Sequence, residues 1–290
     1  MRWPSSCVIL ILLLAGLISA QTPSTPADTT TTTGTSVAMP SGLPPIVNPQ
    51  TPALFDPRAN MAYIEGRDVT WLMPDVSGRK RLKEGPKRVT GGFYMDRTEV
   101  TCSDFAQFLS AADTNAAFYD SRMDIVEISH GKYRARSGRE KYPVAWADWT
   151  AAFAFAKWAG KSLPTEDEWI VAALAGKPLR SDTTQYLWND STQCNHLSTA
   201  GFPGARAVAS NPQNANTAGI SDLAGNVAEW TLTEEPSPIA GGKTHTWIVV
   251  KGGSFLDSPA SMTLFSRGLR DRSERLSSVG FRCILREPAR

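Results

Sequence analysis

The residues best suited to chemistry lie in the run Gly-Ile-Ser-Asp-Leu-Ala-Gly-Asn-Val-Ala-Glu-Trp, from Gly219 to Trp230. Asp222 and Glu229 stand seven positions apart, with a Gly225-Asn226 pair between them. Such a pair lets the backbone take positive φ and bend tightly. A bend there can aim both carboxylates, and the carbonyls of Gly225 and Val227, at one point. Hard oxygen donors of this kind suit Ca²⁺. The spacing is not that of an EF-hand loop, however, and an ordinary turn feeding a strand that ends on a buried Trp230 accounts for the same residues. A second acidic run, Glu166, Asp167 and Glu168, reads as the first turn of a helix, where carboxylates complement the helix dipole, rather than as catalytic acids. His130, His196 and His245 are scattered and no cysteine has a Cys-x-x-Cys partner, so zinc and iron sites are unsupported.

The elements that must position these groups have local signals. Thr101 followed by Asp104 opens a helix whose Phe105, Phe108 and Leu109 fall on one face. Asp148 to Ala159 is a second helix, stopped at Gly160. A third begins with the capping box Thr165 and Glu168, behind Pro164, with Trp169, Ala172 and Ala173 as its buried stripe and Gly176 as its stop. Between them the chain is rich in Gly, Pro and Asn, which predicts short strands and long loops in an α+β domain.

The ends and the composition bound the function. Arg2, the apolar run Val8 to Ile18 and the small residues through Ala20 form a signal peptide over 1–20. Residues 21–50, dominated by Thr, Ser and Pro, cannot bury enough apolar surface to offset chain entropy and read as a disordered tether. The expected location is extracytoplasmic, secreted or periplasmic, with no membrane span after signal cleavage. Lys and Arg number 30 against 28 Asp and Glu, a net charge of +2 that gives no basic stripe for nucleic acid. The basic stretch Asp75 to Arg88 lacks interleaved aromatics and reads as a solvated loop. Three cysteines follow the leader: Cys102, Cys194 and Cys283. In an oxidising compartment two of them pair and one is left over.

Seven blocks occur in order: Met61 to Gly66, Gly92 to Thr101, Pro143 to Trp146, Trp158 to Trp169, Gly219 to Trp230, Lys251 to Phe255 and Val279 to Cys283. Together they resemble the formylglycine-generating enzymes, or sulfatase-modifying factor domains, over residues 59–287. The resemblance implies a C-type-lectin-like variant fold with few regular elements. It also implies a disulfide between Cys102 and Cys283. Members of the family that oxidise a sulfatase cysteine use copper held by two thiolates after the Gly-Gly-Ser-Phe strand. The matching positions here are Asp257 and Met262. Copper(I) takes soft thiolates, and a carboxylate with a lone thioether does not replace them, so formylglycine formation is not expected.

The resemblance further implies two calcium sites. One matches Asp222, Gly225, Val227 and Glu229. The other begins at Asn195 and the His196 carbonyl, and its acidic ligand has no clear match in the shortened Thr199 to Ala209 loop. The residues left to contact a ligand in the family's cleft are Trp230, Ser254, Asp257, Arg267 and Arg270. No Ser/His/Asp order and no paired-acid signature appears. The expected function is therefore a non-catalytic, calcium-stabilised binding or scaffold module, whose partner is another exported protein, a peptide or a glycan. The alternative is a protein-modifying oxidoreductase of the formylglycine-generating type, or a divergent enzyme using the same cleft.

Overall fold

The first and last matched blocks share one sheet. Strand β1, Met61–Ile64, pairs antiparallel with β4, Phe93–Asp96, and β11, Ile284–Arg286, pairs with the other edge of β4. Phe93 and Met95 alternate inward from that central strand and are fully buried. The computed structural model behind this description covers residues 58–73, 83–89, 91–175, 177, 187, 190–197, 204–238 and 243–287, with 68–73 and 83–89 as backbone alone. The expected leader over 1–20, the tether over 21–50 and the Gly176 helix stop lie outside the described residues.

A second sheet has the order β10–β7–β8–β9, built from β7, Ala228–Pro238, β8, Thr244–Lys251, β9, Gly268–Arg270, and β10, Val279–Gly280. Only β10 runs parallel to its neighbour, with Val279 opposite Ala228. Gly280 allows this close approach. A Cβ there would come within 2.7 Å of the Val144 carbonyl and 2.9 Å of Val227 Cγ2. Three of the matched blocks meet at this point.

Two hairpins complete the β structure: β2, Asp68–Met73, with β3, Lys83–Val89, and β5, Ile125–Ser129, with β6, Lys132–Ala135. The first corrects the loop expected over Asp75 to Arg88. Its second half is a strand, because the β-prone run Val69-Thr70-Trp71-Leu72 offers it a partner.

All three helices form where their local signals place them. Helix α1, Cys102–Ala111, carries the Thr101–Asp104 capping box, and α2, Trp149–Trp158, is capped by Asp148. Helix α3, Glu166–Leu174, carries the Thr165–Glu168 box, but Ala175 rather than a glycine takes the left-handed conformation at its end, with φ 46°. Helices α1 and α2 bury a set of rings, Phe105, Phe108 and Phe155, against Phe281. Helix α3 is buried nearly all round, against Phe93, Met95 and Ile284 of the first sheet. Among the described residues no helix is long and apolar enough to cross a membrane. The disulfide expected between Cys102 and Cys283 is not formed. Both are buried thiols in one core cluster, Cys102 donating to the Pro143 carbonyl at 3.6 Å.

The acids of the first turn of α3 do more than complement a dipole. Glu168 accepts a bidentate pair from Arg286, at 2.6 and 2.7 Å. Buried Glu166 lies between Lys251, at 3.4 Å, and Arg267, at 3.0 Å. The Lys251 ammonium also donates to the carbonyls of Leu264 and Ser266, so the end of β8 is fastened to α3 and to the segment before β9. Burial pushes this ammonium down to about 8, against the pull of Glu166. An unfolded lysine titrates near 10.4. Between those values the unfolded chain holds a proton that the folded chain has lost, so the contribution of Lys251 to stability rises with pH across that window. Lys251→Met removes the titration and leaves Glu166 paired with Arg267. Urea unfolding should show the stability difference moving in favour of wild type by on the order of 2 kcal/mol between about pH 7.5 and 10; a constant difference would count against the depressed lysine.

Candidate functional site

The Gly219 to Trp230 segment bends as its sequence requires. Gly219, Asp222, Gly225 and Asn226 all have positive φ, at 73°, 59°, 85° and 59°. At Gly225 any side chain would fall on the Asn195 carbonyl, which itself accepts the Asn226 N–H at 2.9 Å. The Asn226 side chain is fully used. Its amide donates to Glu99 at 2.9 Å, and its oxygen accepts from the Arg206 N–H at 2.8 Å and from Asn195 at 3.2 Å.

The bend does not converge its carboxylates on a common empty point. Glu229 accepts from Arg282 Nε and Nη2 at 2.7–2.9 Å on Oε1, and from Arg282 Nε and Trp169 Nε1 at 2.8 Å on Oε2. Its lone-pair directions are filled, and the neighbouring guanidinium already balances its charge. Asp222 accepts from the Ala209 N–H at 2.6 Å and from Asn214 at 3.2 Å. Val227 packs its side chain towards Gly280. Glu229 in this geometry is therefore the ion-pair partner of Arg282 and does not fit a calcium ligand. Among the described residues, no three or more His, Cys, Asp or Glu side chains are grouped to hold a metal. Asn195 Oδ1 is buried without a partner, but residues 204–209 of the adjoining loop supply no acid beside it.

Glu99 completes this buried group, and no local signal in the sequence singled it out. Its Oε2 has no hydrogen-bond partner. Burial, then the nearby Asp222 charge, hold its carboxyl well above the usual range, with Arg282 pulling the other way. Burial also raises Asp222. Arg282, although burial works against its charge, is held above its ordinary value by Glu229.

Asp257 and Met262 do come together. A Cβ on Gly253 would lie 3.1 Å from Met262 Cγ and 3.7 Å from Asp257 Cβ. Each is committed elsewhere. Asp257 Oδ2 accepts from the Ser254 N–H at 2.8 Å and from its hydroxyl at 2.7 Å, closing a turn. Met262 is fully buried with Ala224 and Cys194. Burial pushes the Cys194 thiol up to about 12, and it donates to Asn214, so it is no thiolate at neutral pH. The donor set does not fit copper(I).

The open cleft lies next to this loop, and its lining differs from the expected set. It measures about 510 Å³ and is floored by Tyr142, Pro143, Trp146, Phe255 and Leu256, with Arg122, Asp124 and Arg139 at its rim. Trp230 is instead in the core, its Nε1 donating to the Ala147 carbonyl. Ser254 and Asp257 serve the turn. Arg267 pairs with Glu166 and Glu235, and Arg270 donates to the Leu269 carbonyl on β9. Trp146 holds a left-handed backbone, φ 63°, fixed by its N–H to the Leu276 carbonyl. The Arg122 guanidinium lies 4.3 Å over its ring, and Arg139 lies 4.2 Å over Tyr142. Pro143 to Trp146 is legible in the sequence as a block; the two arginines belong to no motif.

The family model described as "Sulfatase-modifying factor enzyme 1-like domain" matches residues 70–287. The chain belongs to that family. Its fold is the loop-rich α+β fold of the formylglycine-generating enzymes. Among relatives of this sulfatase-modifying factor domain, the formylglycine-generating enzyme of Streptomyces coelicolor is 31% identical over 246 residues, covering 66% of this chain and 77% of that one. The serine/threonine-protein kinase Pkn1 of Chlamydia trachomatis serovar L2 is 29% identical over 211 residues, covering 66% of this chain and 33% of the kinase. The chain thus spans about a third of the length of such kinase relatives. The solved structure of CarF superposes with a TM-score of 0.56 at 21% identity, covering 79% of this chain and 98% of CarF.

In this sulfatase-modifying factor domain the motif is closed by protein charge. Glu229→Gln leaves a buried guanidinium without its carboxylate. Breaking a buried pair from one side costs about 3–5 kcal/mol. Chemical denaturation should show that loss, equal in the presence of calcium and of a chelator. A loss that appears only with calcium would mean that Glu229 binds the metal.

Proposed function

We propose that this domain is a non-catalytic binding or scaffold module of an exported protein, with the Trp146 cleft as its ligand site and an exported protein, peptide or glycan as its partner. The observation that carries the reading is the state of the loop beside the cleft. At the two positions where oxidising members of the family hold copper, one side chain caps a turn and the other fills the core, while the cleft stays open. Among its described lining residues there is no cysteine and no histidine, so no Ser–His or Cys–His pair lines it. Export rests on the leader-like residues 1–20. The reading assigns no calcium to Glu229.

The position of Trp146 supports ligand contact over packing alone. A non-glycine residue in a left-handed backbone costs on the order of 1–3 kcal/mol, and such positions cluster at sites of binding. Here the strained residue presents a half-buried indole to a cavity of ligand size. The decisive experiment incubates the purified chain with a Cys-x-Pro-x-Arg peptide, oxygen and copper(I), and follows the peptide by mass spectrometry. No aldehyde should form. Conversion of the cysteine to formylglycine by the unmodified chain would overturn the proposal.

A further inference from the structure

The cleft has a floor and a rim of different character, and the rim is basic. Residues 132–141 contain Lys132, Arg134, Arg136, Arg139 and Lys141 against a single acid, Glu140. The pleat of β6 explains their display: Tyr133 and Ala135 turn inward and are buried, while Lys132 and Arg134 are exposed. The loop that follows brings Arg139 to the cleft, which Arg122 from the segment before β5 also lines, while Arg136 lies behind Asp124.

The acids nearby do not saturate these cations. Asp120 is held bidentately by Arg122, at 2.9 and 2.7 Å, and is shared with Arg275 at 3.6 Å. Asp124 faces both Arg136, at 4.0 Å, and Arg139, at 3.7 Å, both beyond a hydrogen bond, and Arg136 donates instead to the Met123 and Ser121 carbonyls at 3.4 Å. Among the described residues the Arg139 guanidinium makes no side-chain hydrogen bond. It lies 4.2 Å over the Tyr142 ring with only the loose Asp124 pair on its donors, an arrangement that leaves a guanidinium ready to take a carboxylate in a fork.

We propose that the occupant of the cleft is an acidic peptide segment, which deepens the binding-module reading and rests on it. A carboxylate of the segment meets Arg139 at the rim, and a neighbouring apolar side chain enters the floor formed by Trp146, Phe255 and Leu256. Two features favour a peptide over other polyanions. The floor rewards an apolar side chain, which a sugar–phosphate backbone does not carry. Leu256 and Leu197 stand exposed at the same edge, joined through the Leu197 N–H to the Asp257 carbonyl at 3.0 Å, and they extend the apolar surface beyond the cavity.

The test uses the whole chain and three fluorescein-labelled nonapeptides with a central leucine flanked by glutamates, by glutamines or by arginines, read by fluorescence anisotropy. The glutamate peptide should bind at least tenfold more tightly than the glutamine peptide, and the margin should shrink as salt rises. Arg139→Gln should cost the glutamate peptide at least fivefold and leave the glutamine peptide unchanged. Leu256→Ser should weaken both peptides; it sits on the surface and keeps the melting temperature. Equal binding of the glutamate and glutamine peptides, preference for the arginine peptide, or equal displacement by a single-stranded oligonucleotide would overturn the acidic-peptide assignment. In those cases the wider reading stands if Leu256→Ser still weakens binding. If no peptide binds, the assignment falls, and screening glycans against wild type and Leu256→Ser then tests the cleft itself.

Discussion

The buried pair of Arg282 and Glu229 is the contact on which the rest of the domain depends. Both side chains are out of water, where desolvation costs several kcal/mol per ion unless every donor and acceptor is met. Here they are met. Arg282 gives Nη1 to the Asp96 carbonyl on β4, Nη2 to the Ser221 carbonyl in the bent motif, and Nε with Nη2 to Glu229 on β7. Trp169 of α3 holds the other side of the carboxylate. One guanidinium thus fixes the β1–β4–β11 sheet, the motif and the second sheet relative to one another. The same charge limits what lies nearby. Three buried carboxyls, Glu99, Asp222 and Glu229, sit within reach of this one cation; burial first, and then the Asp222 charge, hold the Glu99 carboxyl above its ordinary range against the pull of Arg282. A protonated carboxyl costs far less to bury than a carboxylate.

This pair also shows where the sequence stops being legible. The helices were readable because their signals are local: a capping residue and its acid lie three positions apart, inside the same turn. The bend was readable for the same reason. The role of Glu229 was not, because its partner lies 53 residues later in a block that marks the family without stating a contact. Glu166 and Glu168 behaved alike. They occupy the first turn as dipole-complementing acids do, yet their partners Lys251, Arg267 and Arg286 lie 85 or more residues away in sequence. A carboxylate seen without its cation reads as a ligand or as a surface charge, and only the tertiary structure tells which. The cleft was missed on the same principle. Trp230, Ser254, Arg267 and Arg270 lie in or after the motif but turn into the core, into ion pairs or into local bonds, whereas Arg122 and Arg139 reach the rim from segments flanking the β5–β6 hairpin, outside any motif.

The loop after Gly252-Gly253 is held by its own hydrogen bonds and packing. Asp257 accepts two hydrogen bonds from Ser254 and so sets the turn by itself. Met262 fills, with its flexible thioether, the space beside Cys194 and Ala224. Neither role calls for a metal, and the loop therefore holds its place by hydrogen bonding and packing alone. Phe255 and Leu256, carried on that loop, keep their positions on the cleft floor.

The floor and the rim of the cleft are held by different forces. The floor is held by packing and by one strained residue. Trp146 stays in a left-handed backbone because its N–H is bonded to Leu276 and its ring lies beneath Arg122. At the rim Arg122 is held bidentately by Asp120, whereas half-exposed Arg139 has a loose ion pair, 3.7 Å from Asp124. Loose surface pairs contribute about 0–1 kcal/mol, so the fold loses little when a ligand takes over that arginine. The proposed exchange of Asp124 for an incoming carboxylate beside Arg139 would therefore cost little, while the packed floor keeps its place.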